Sequence, residues 1–95
     1  MINLNKVEGN KDIGHSIMLF ALSTCVWCRK TRNLLDSLDV PYQFIYVDEL
    51  SGRDKAEVLE EMDKFNPGRT FPTVVIDGNR TIVGFKKNEI ERALS

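Results

Sequence analysis

Six unbroken apolar residues, Ile17-Met18-Leu19-Phe20-Ala21-Leu22, run into Ser23-Thr24-Cys25-Val26-Trp27-Cys28, and beyond them the pattern changes to a helical period. An uninterrupted apolar run bounded by polar residues predicts a central strand covered on both faces. Thr31, Leu34, Leu35 and Leu38 then recur at helical spacing, with Arg29, Lys30, Arg32 and Asp36 largely off that stripe. Ser23 and Thr24 end the strand and are the expected caps of the helix. The chain therefore has a strand-to-helix junction, with Cys25 at its mouth and Cys28 inside the first helical turn.

The remainder has to complete a sheet around that strand. Val40-Pro41 stops the helix, and Tyr42 to Val47, rich in aromatic and β-branched residues, reads as a second strand. A strand, helix and strand in succession imply a parallel pair with a right-handed crossover. Ser51, with Asp54 three residues on, is a plausible N-cap for a helix through Val58, Leu59, Met62 and Phe65, ended by Asn66-Pro67-Gly68. Two β-branched runs, Thr73-Val74-Val75-Ile76 and Thr81-Ile82-Val83, flank an Asp77-Gly78 turn and predict a hairpin. Ile90, Ala93 and Leu94 give a short final amphipathic helix. The order βαβαββα predicts an α/β fold with a mixed four-stranded sheet and helices on both faces. Residues 1–16 are polar and weakly patterned, and are expected to extend a domain spanning 17–95. Ile2, Leu4 and Val7 could add an extra N-terminal strand, followed by the turn-rich Gly9-Asn10-Lys11-Asp12.

With 95 residues and a formal net charge of -1, the chain makes one modest core and has no global field for nucleic acid or a membrane surface. Its longest apolar run is too short to cross a bilayer or to form the core of an export signal. A cytoplasmic monomer with neither nucleic-acid nor membrane partners is expected. The basic cluster Arg29, Lys30 and Arg32 and the acidic cluster Glu57, Glu60, Glu61 and Asp63 read as solvated helix faces. His15, the only histidine, reads as surface with no metal or catalytic role.

Two cysteines with two residues between them could form a structural staple, half a zinc site or a redox pair. A staple closing so short a loop constrains the unfolded chain little, and zinc needs about four ligands where this chain offers two thiols and one distant imidazole. A redox-active pair in a reducing compartment fits better. Disulfide exchange needs a thiolate, and a helix N-terminus favours one through its unpaired N–H groups and dipole. Candidate donors to Cys25 are the backbone N–H groups of Trp27 and Cys28, the Cys28 thiol and Thr24, with Arg29 and Lys30 adding positive field. In the cycle this predicts, Cys25 attacks a substrate disulfide and Cys28 resolves the mixed disulfide. The redox group is then the Cys25-Cys28 disulfide, with no bound cofactor or metal.

From about Ile17 to Leu94 the chain resembles the glutaredoxin family of the thioredoxin-like fold. The resemblance rests on Cys25-Val26-Trp27-Cys28 after the first strand, Thr70-Phe71-Pro72 before the third and Gly84-Phe85 before the last helix. It implies that Pro72 is a cis-proline facing the cysteines and that the Phe71 backbone pairs with a bound peptide or thiol. It also implies that Thr24, Trp27, Arg69, Thr70, Gly84 and Phe85 surround the substrate. Arg69 matches the family's basic residue beside the proline loop and could hold a carboxylate. Trp27 either offers a flat apolar contact to a partner or packs against Phe71 or Phe85.

Where the chain departs from the family, substrate choice is at stake. Glutathione users commonly carry a basic residue where this chain has Leu22, and Gly-Gly followed by an acid where it has Val83-Gly84 and then Lys86-Lys87. Gly84-Phe85-Lys86 is similar to the matching segment of NrdH-type redoxins. That resemblance implies a protein-disulfide reductase recharged by a thioredoxin-reductase-type donor, with ribonucleotide reductase as one target. Two alternatives stay open: a glutathione-dependent glutaredoxin that uses glutathione as external reductant and removes it from proteins, and a non-catalytic module binding a partner or a bridged iron–sulfur cluster.

Overall fold

A computed structural model describes residues 4–11 and 13–94; Ile2 and Asp12, named above for a strand and a turn, lie outside the described residues. The elements are β1 (Asn5–Val7), β2 (Ile17–Ala21), α1 (Val26–Ser37), β3 (Tyr42–Tyr46), a 3-10 turn over Val47–Glu49, α2 (Gly52–Asp63), β4 (Thr73–Ile76), β5 (Arg80–Val83) and α3 (Lys87–Leu94). They build the thioredoxin-like α/β fold, with a sheet of five strands in the order β1-β3-β2-β4-β5. The fifth strand comes from the segment expected as an extension: Val7 sits opposite Tyr42 and Asn5 opposite Phe44, antiparallel to β3.

The apolar run of β2 is central because it is paired on both sides and covered on both faces. It lies parallel to β3, with Ala21 beside Tyr46, and antiparallel to β4, with Phe20 beside Thr73. Strand alternation sends Leu19 and Ala21 into one core with Leu34 and Leu35 of α1 and Ile90 and Leu94 of α3. Phe20 points the other way, into a second core with Val58 and Met62 of α2. Helices α1 and α3 thus cover one face and α2 the other. One consequence matters for the site. Because β2 and β3 run parallel while β4 runs against them, the ends of β2 and β3 and the start of β4 meet at the same edge of the sheet.

The predicted hairpin turns at Asp77 and Gly78, both at positive φ (55° and 69°), with the Asn79 N–H donating to the Ile76 carbonyl at 3.2 Å. Two successive left-handed residues mark the type I′ turn that suits strand twist. The Asp77 carboxylate also accepts from the Ser16 N–H at 2.9 Å and pairs with His15 Nδ1 at 2.6 Å. His15 is therefore more than surface: with Asp77 it fastens the start of β2 to the hairpin. Arg32 likewise departs from the expected solvated face. Its guanidinium lies 3.8 Å from the Phe44 ring centroid and donates to Tyr42 and Tyr46 hydroxyls at 3.2 and 2.9 Å.

Candidate functional site

At the sheet edge where β2 ends, the chain turns into α1, and the residue at the cap is Cys25 itself. Its backbone is extended (φ -88°, ψ 118°), and its Sγ accepts from the Cys28 N–H at 3.2 Å, as an N-cap side chain does. This corrects the expectation that Ser23 or Thr24 caps the helix. Ser23 is unavailable because its N–H donates to Asp48 Oδ1 at 2.8 Å and its hydroxyl donates to the other carboxylate oxygen. Asp48 reaches it from the turn after β3, which the parallel register places beside the end of β2. The Ser23 hydroxyl, followed by its N–H, holds the Asp48 carboxyl below the ordinary carboxylate range. Thr24 is exposed.

The two thiols occupy unlike environments one turn apart. Cys25 is partly exposed, whereas Cys28 retains 1% of its accessible surface and belongs to the core beneath α1. Burial first, and then its hydrogen bond to Cys25, push the Cys28 thiol up to about 12. Cys28 is consequently a neutral thiol at physiological pH, holding its proton toward Cys25. Thr31 on the next turn is fully buried and donates to the Trp27 carbonyl at 2.8 Å, so its hydroxyl remains satisfied inside the core.

The start of β4 supplies the facing wall. The Phe71-Pro72 peptide bond is cis, as the resemblance implied. Gly84, at φ 87°, donates its N–H to the Pro72 carbonyl at 2.8 Å and ties this loop to the end of β5. Asn66, nearly buried, anchors the loop from below. Its Nδ2 donates to the Thr70 and Thr73 hydroxyls at 3.0 Å each, while its Oδ1 accepts from the Gly68 N–H at 3.2 Å.

Trp27, Phe71, Pro72, Gly84 and Phe85 line a single open cleft of about 250 Å³. Cys25 packs against the same apolar cluster as Phe71 and Phe85. Of the two expectations for Trp27, the structure shows the packing against Phe85. Its ring stacks on Phe85 at 6.0 Å between centroids with 26° between planes, yet it keeps 54% of its exposure. Lys30 Nζ lies over the Trp27 ring, 4.6 Å from its centroid.

Arg69 and Thr70 are not among the cleft residues. Arg69, at φ 52°, makes a bidentate pair with Asp63 (Nε to Oδ1 and Nη2 to Oδ2, both 2.8 Å), and Thr70 is taken up by Asn66. Asp48 and Asn66 escaped the sequence reading. The only signals they carried were an acid closing a strand and an amide opening a helix breaker, and both are common in loops that do nothing further.

Residues 17–81 match the sequence profile of the family Glutaredoxin. The chain belongs to the glutaredoxin family. Membership implies thiol–disulfide oxidoreductase chemistry in general. Among its relatives is an uncharacterized glutaredoxin-like 8.6 kDa protein in the rubredoxin operon of Clostridium pasteurianum, 34% identical over 78 residues, which cover 82% of this chain and 96% of that one. The crystal structure of a glutaredoxin from Methanosarcina mazei superposes with a TM-score of 0.83 at 41% identity, over 97% of this chain and 87% of that one. The NrdH-redoxin of Escherichia coli, described as glutaredoxin-like with a thioredoxin-like activity profile, gives a TM-score of 0.61 at 26% identity, over 81% and 92% of the two chains. No helix among the described residues is long and apolar enough to cross a membrane.

Proposed function

We propose that this glutaredoxin-family chain is a dithiol redoxin that reduces protein disulfides, with Cys25 as nucleophile and Cys28 as resolving thiol. The observation that carries the reading is the asymmetry of the pair: an accessible Sγ at a helix N-cap, and one turn on a buried thiol that keeps its proton. Cys25 thiolate attacks one sulfur of a substrate disulfide; the Cys25–substrate bond forms, the substrate S–S bond breaks, and the departing thiolate takes a proton. The mixed disulfide removes the negative sulfur beside Cys28, one of the causes holding its proton, and the freed thiol attacks Cys25 Sγ. The product thiol leaves, the Cys25-Cys28 disulfide remains, and two electrons have passed to the substrate.

The cleft supports the roles given to its neighbours. Trp27, Phe71, Pro72, Gly84 and Phe85 form an apolar trough for a bound segment, and the backbone of Phe71, directly before Pro72 and β4, is the group assigned to pair with an extended chain. Thr24 is exposed at the junction, ready to donate to a bound group. Arg69 and Thr70 lie next to the trough in sequence and act by holding its loop. Recharging by a thioredoxin-reductase-type donor is favoured over glutathione on two grounds. Lys86 and Lys87 stand where an ammonium-accepting acid would be needed, and Asp63 already occupies Arg69. The NrdH-type likeness supports ribonucleotide reductase as a target to test, and the chemistry suits the reducing cytoplasm.

The test is a trapping experiment. Cys28→Ser incubated with oxidised protein substrates should accumulate mixed disulfides through Cys25, released by dithiothreitol, whereas Cys25→Ser should accumulate none. Trapping by the second variant and not the first would reverse the roles. In parallel, oxidised wild-type protein should regain two thiols with a thioredoxin reductase and its reductant far faster than with glutathione; the opposite order would make glutathione the donor.

A further inference from the structure

Four of the thirteen Lys and Arg residues, Arg29, Lys30, Lys86 and Lys87, lie on segments that border the cleft. The first turn of α1 contains no acidic residue, although a helix N-terminus favours acids, and Arg29 and Lys30 stand exposed on its first two turns. Lys86 and Lys87 are exposed at the start of α3, directly after Phe85. Lys30 lies 4.6 Å from the ring centroid of Trp27, which stacks on Phe85, and Lys86 and Lys87 follow Phe85 directly in the chain, so both groups of cations adjoin residues that line the cleft. The carboxylates on the flanking segments are Asp36, which accepts from the Tyr42 hydroxyl, Asp48, engaged by Ser23 and followed by the exposed Glu49, and on α3 Glu91 and Glu89, the latter sharing a surface hollow with Lys86, Lys87 and Arg92. Ion pairs among the described residues join His15 to Asp77, Lys64 to Glu61 and Arg69 to Asp63, and none involves Arg29, Lys30, Lys86 or Lys87. The exposed glutamates Glu57, Glu60 and Glu61 sit on α2, across the sheet.

Helix dipole and self-repulsion oppose this arrangement, the contact of Lys30 with the Trp27 ring apart, and a bound partner of opposite charge would relieve both. We propose that the disulfide this protein reduces lies in an acidic segment, with an apolar side chain beside the reacting cysteine that enters the Trp27–Phe85 cleft while flanking carboxylates meet Lys30, Lys86 and Lys87. The inference rests on the disulfide-reducing reading above and names the substrate class of the same site. The cleft volume of about 250 Å³ suits one or two side chains, and its walls are aromatic and apolar. The cationic rim adds little to final affinity but speeds encounter and rejects basic partners, which is the usual work of charge around an apolar contact.

Three disulfide-bridged peptides separate the possibilities. They share one apolar residue next to the cysteine and contain no tryptophan, and they differ only in flanks of Glu, Ala or Lys. Pre-reduced protein supplies its own two electrons in a single turnover, followed by the fluorescence of its sole tryptophan, Trp27. The Glu peptide should react at least about tenfold faster than the Lys peptide at low ionic strength, with the ratio falling toward one as salt screens the field. In a K30E/K86E/K87E protein the ratio should invert, and because it is taken within one protein it is insensitive to altered Cys25 reactivity. Equal rates for all three peptides, or a preference indifferent to salt, would overturn the inference while leaving disulfide reduction intact. No reaction even with the Ala peptide would overturn disulfide reduction, and this inference with it.

Discussion

Cys28 shows how far one side chain's surroundings decide its part in the chemistry. The same thiol on the helix surface would ionise near 8.5, and burial alone is the first cause of its displacement to about 12. The sign follows directly: a raised thiol value means that the protonated form persists to higher pH, so Cys28 is a poor nucleophile toward solvent reagents. In a Cys25→Ser protein, where burial remains and the neighbouring sulfur is gone, the midpoint of the Cys28 alkylation rate against pH should still lie above 8.5. A midpoint at or below the free-thiol value would mean that the core around Cys28 opens readily, and the resolving step would need another explanation. Asp48 and Arg69 make a related point at the same scale. Neither role was readable in the sequence. Each acquires its meaning from one partner, Ser23 or Asp63, whose arrival depends on register or on the turn after a helix breaker.

The element that holds the reactive edge together is the loop from Asn66 to Pro72. A single amide from Asn66 bridges the end of α2, the loop hydroxyl of Thr70 and the first residue of β4. Asn66→Ala leaves the buried Thr73 hydroxyl with one partner fewer and frees the Gly68 N–H, and should cost about 1–3 kcal/mol in urea unfolding. A change well under 0.5 kcal/mol would show that water replaces the amide without loss. Elements of this kind explain which parts of the fold were legible. The strand-to-helix junction, the crossover and the hairpin were all readable because each is written in a local period or a turn pair such as Asp77-Gly78. The cap was misread because Ser23 has the better local propensity, but a carboxylate 25 residues away claims it. Arg32 was misread because helical periodicity identifies the apolar stripe but says nothing of a guanidinium lying flat across Phe44.

For the whole molecule, β1 is the addition that a four-stranded reading leaves optional. It shields the outer edge of β3, whose Tyr42, Phe44 and Tyr46 would otherwise border an unpaired strand. Deleting residues 1–7 retains Gly9, packed tightly on the Val40 and Pro41 backbone, and the Lys11 N–H bond to the Asp39 carbonyl, so the lesion is confined to the strand. The truncated chain should lose roughly 0.5–1.5 kcal/mol for each hydrogen bond removed and should self-associate with rising concentration, which sedimentation and thermal melts would register. A monomer with unchanged stability would reduce β1 to decoration.

Finally, the reacting sulfurs share one helical turn, while the cleft beside them is assembled from α1, the loop before β4 and the loop after β5. In the proposed reading the bond-making apparatus is thus written as a single short word, and the choice of recipient is spelled by residues far apart in the gene. On the function proposed above, substitutions at Trp27, Phe85 or the lysines would redirect the electrons one step at a time while the dithiol stays intact.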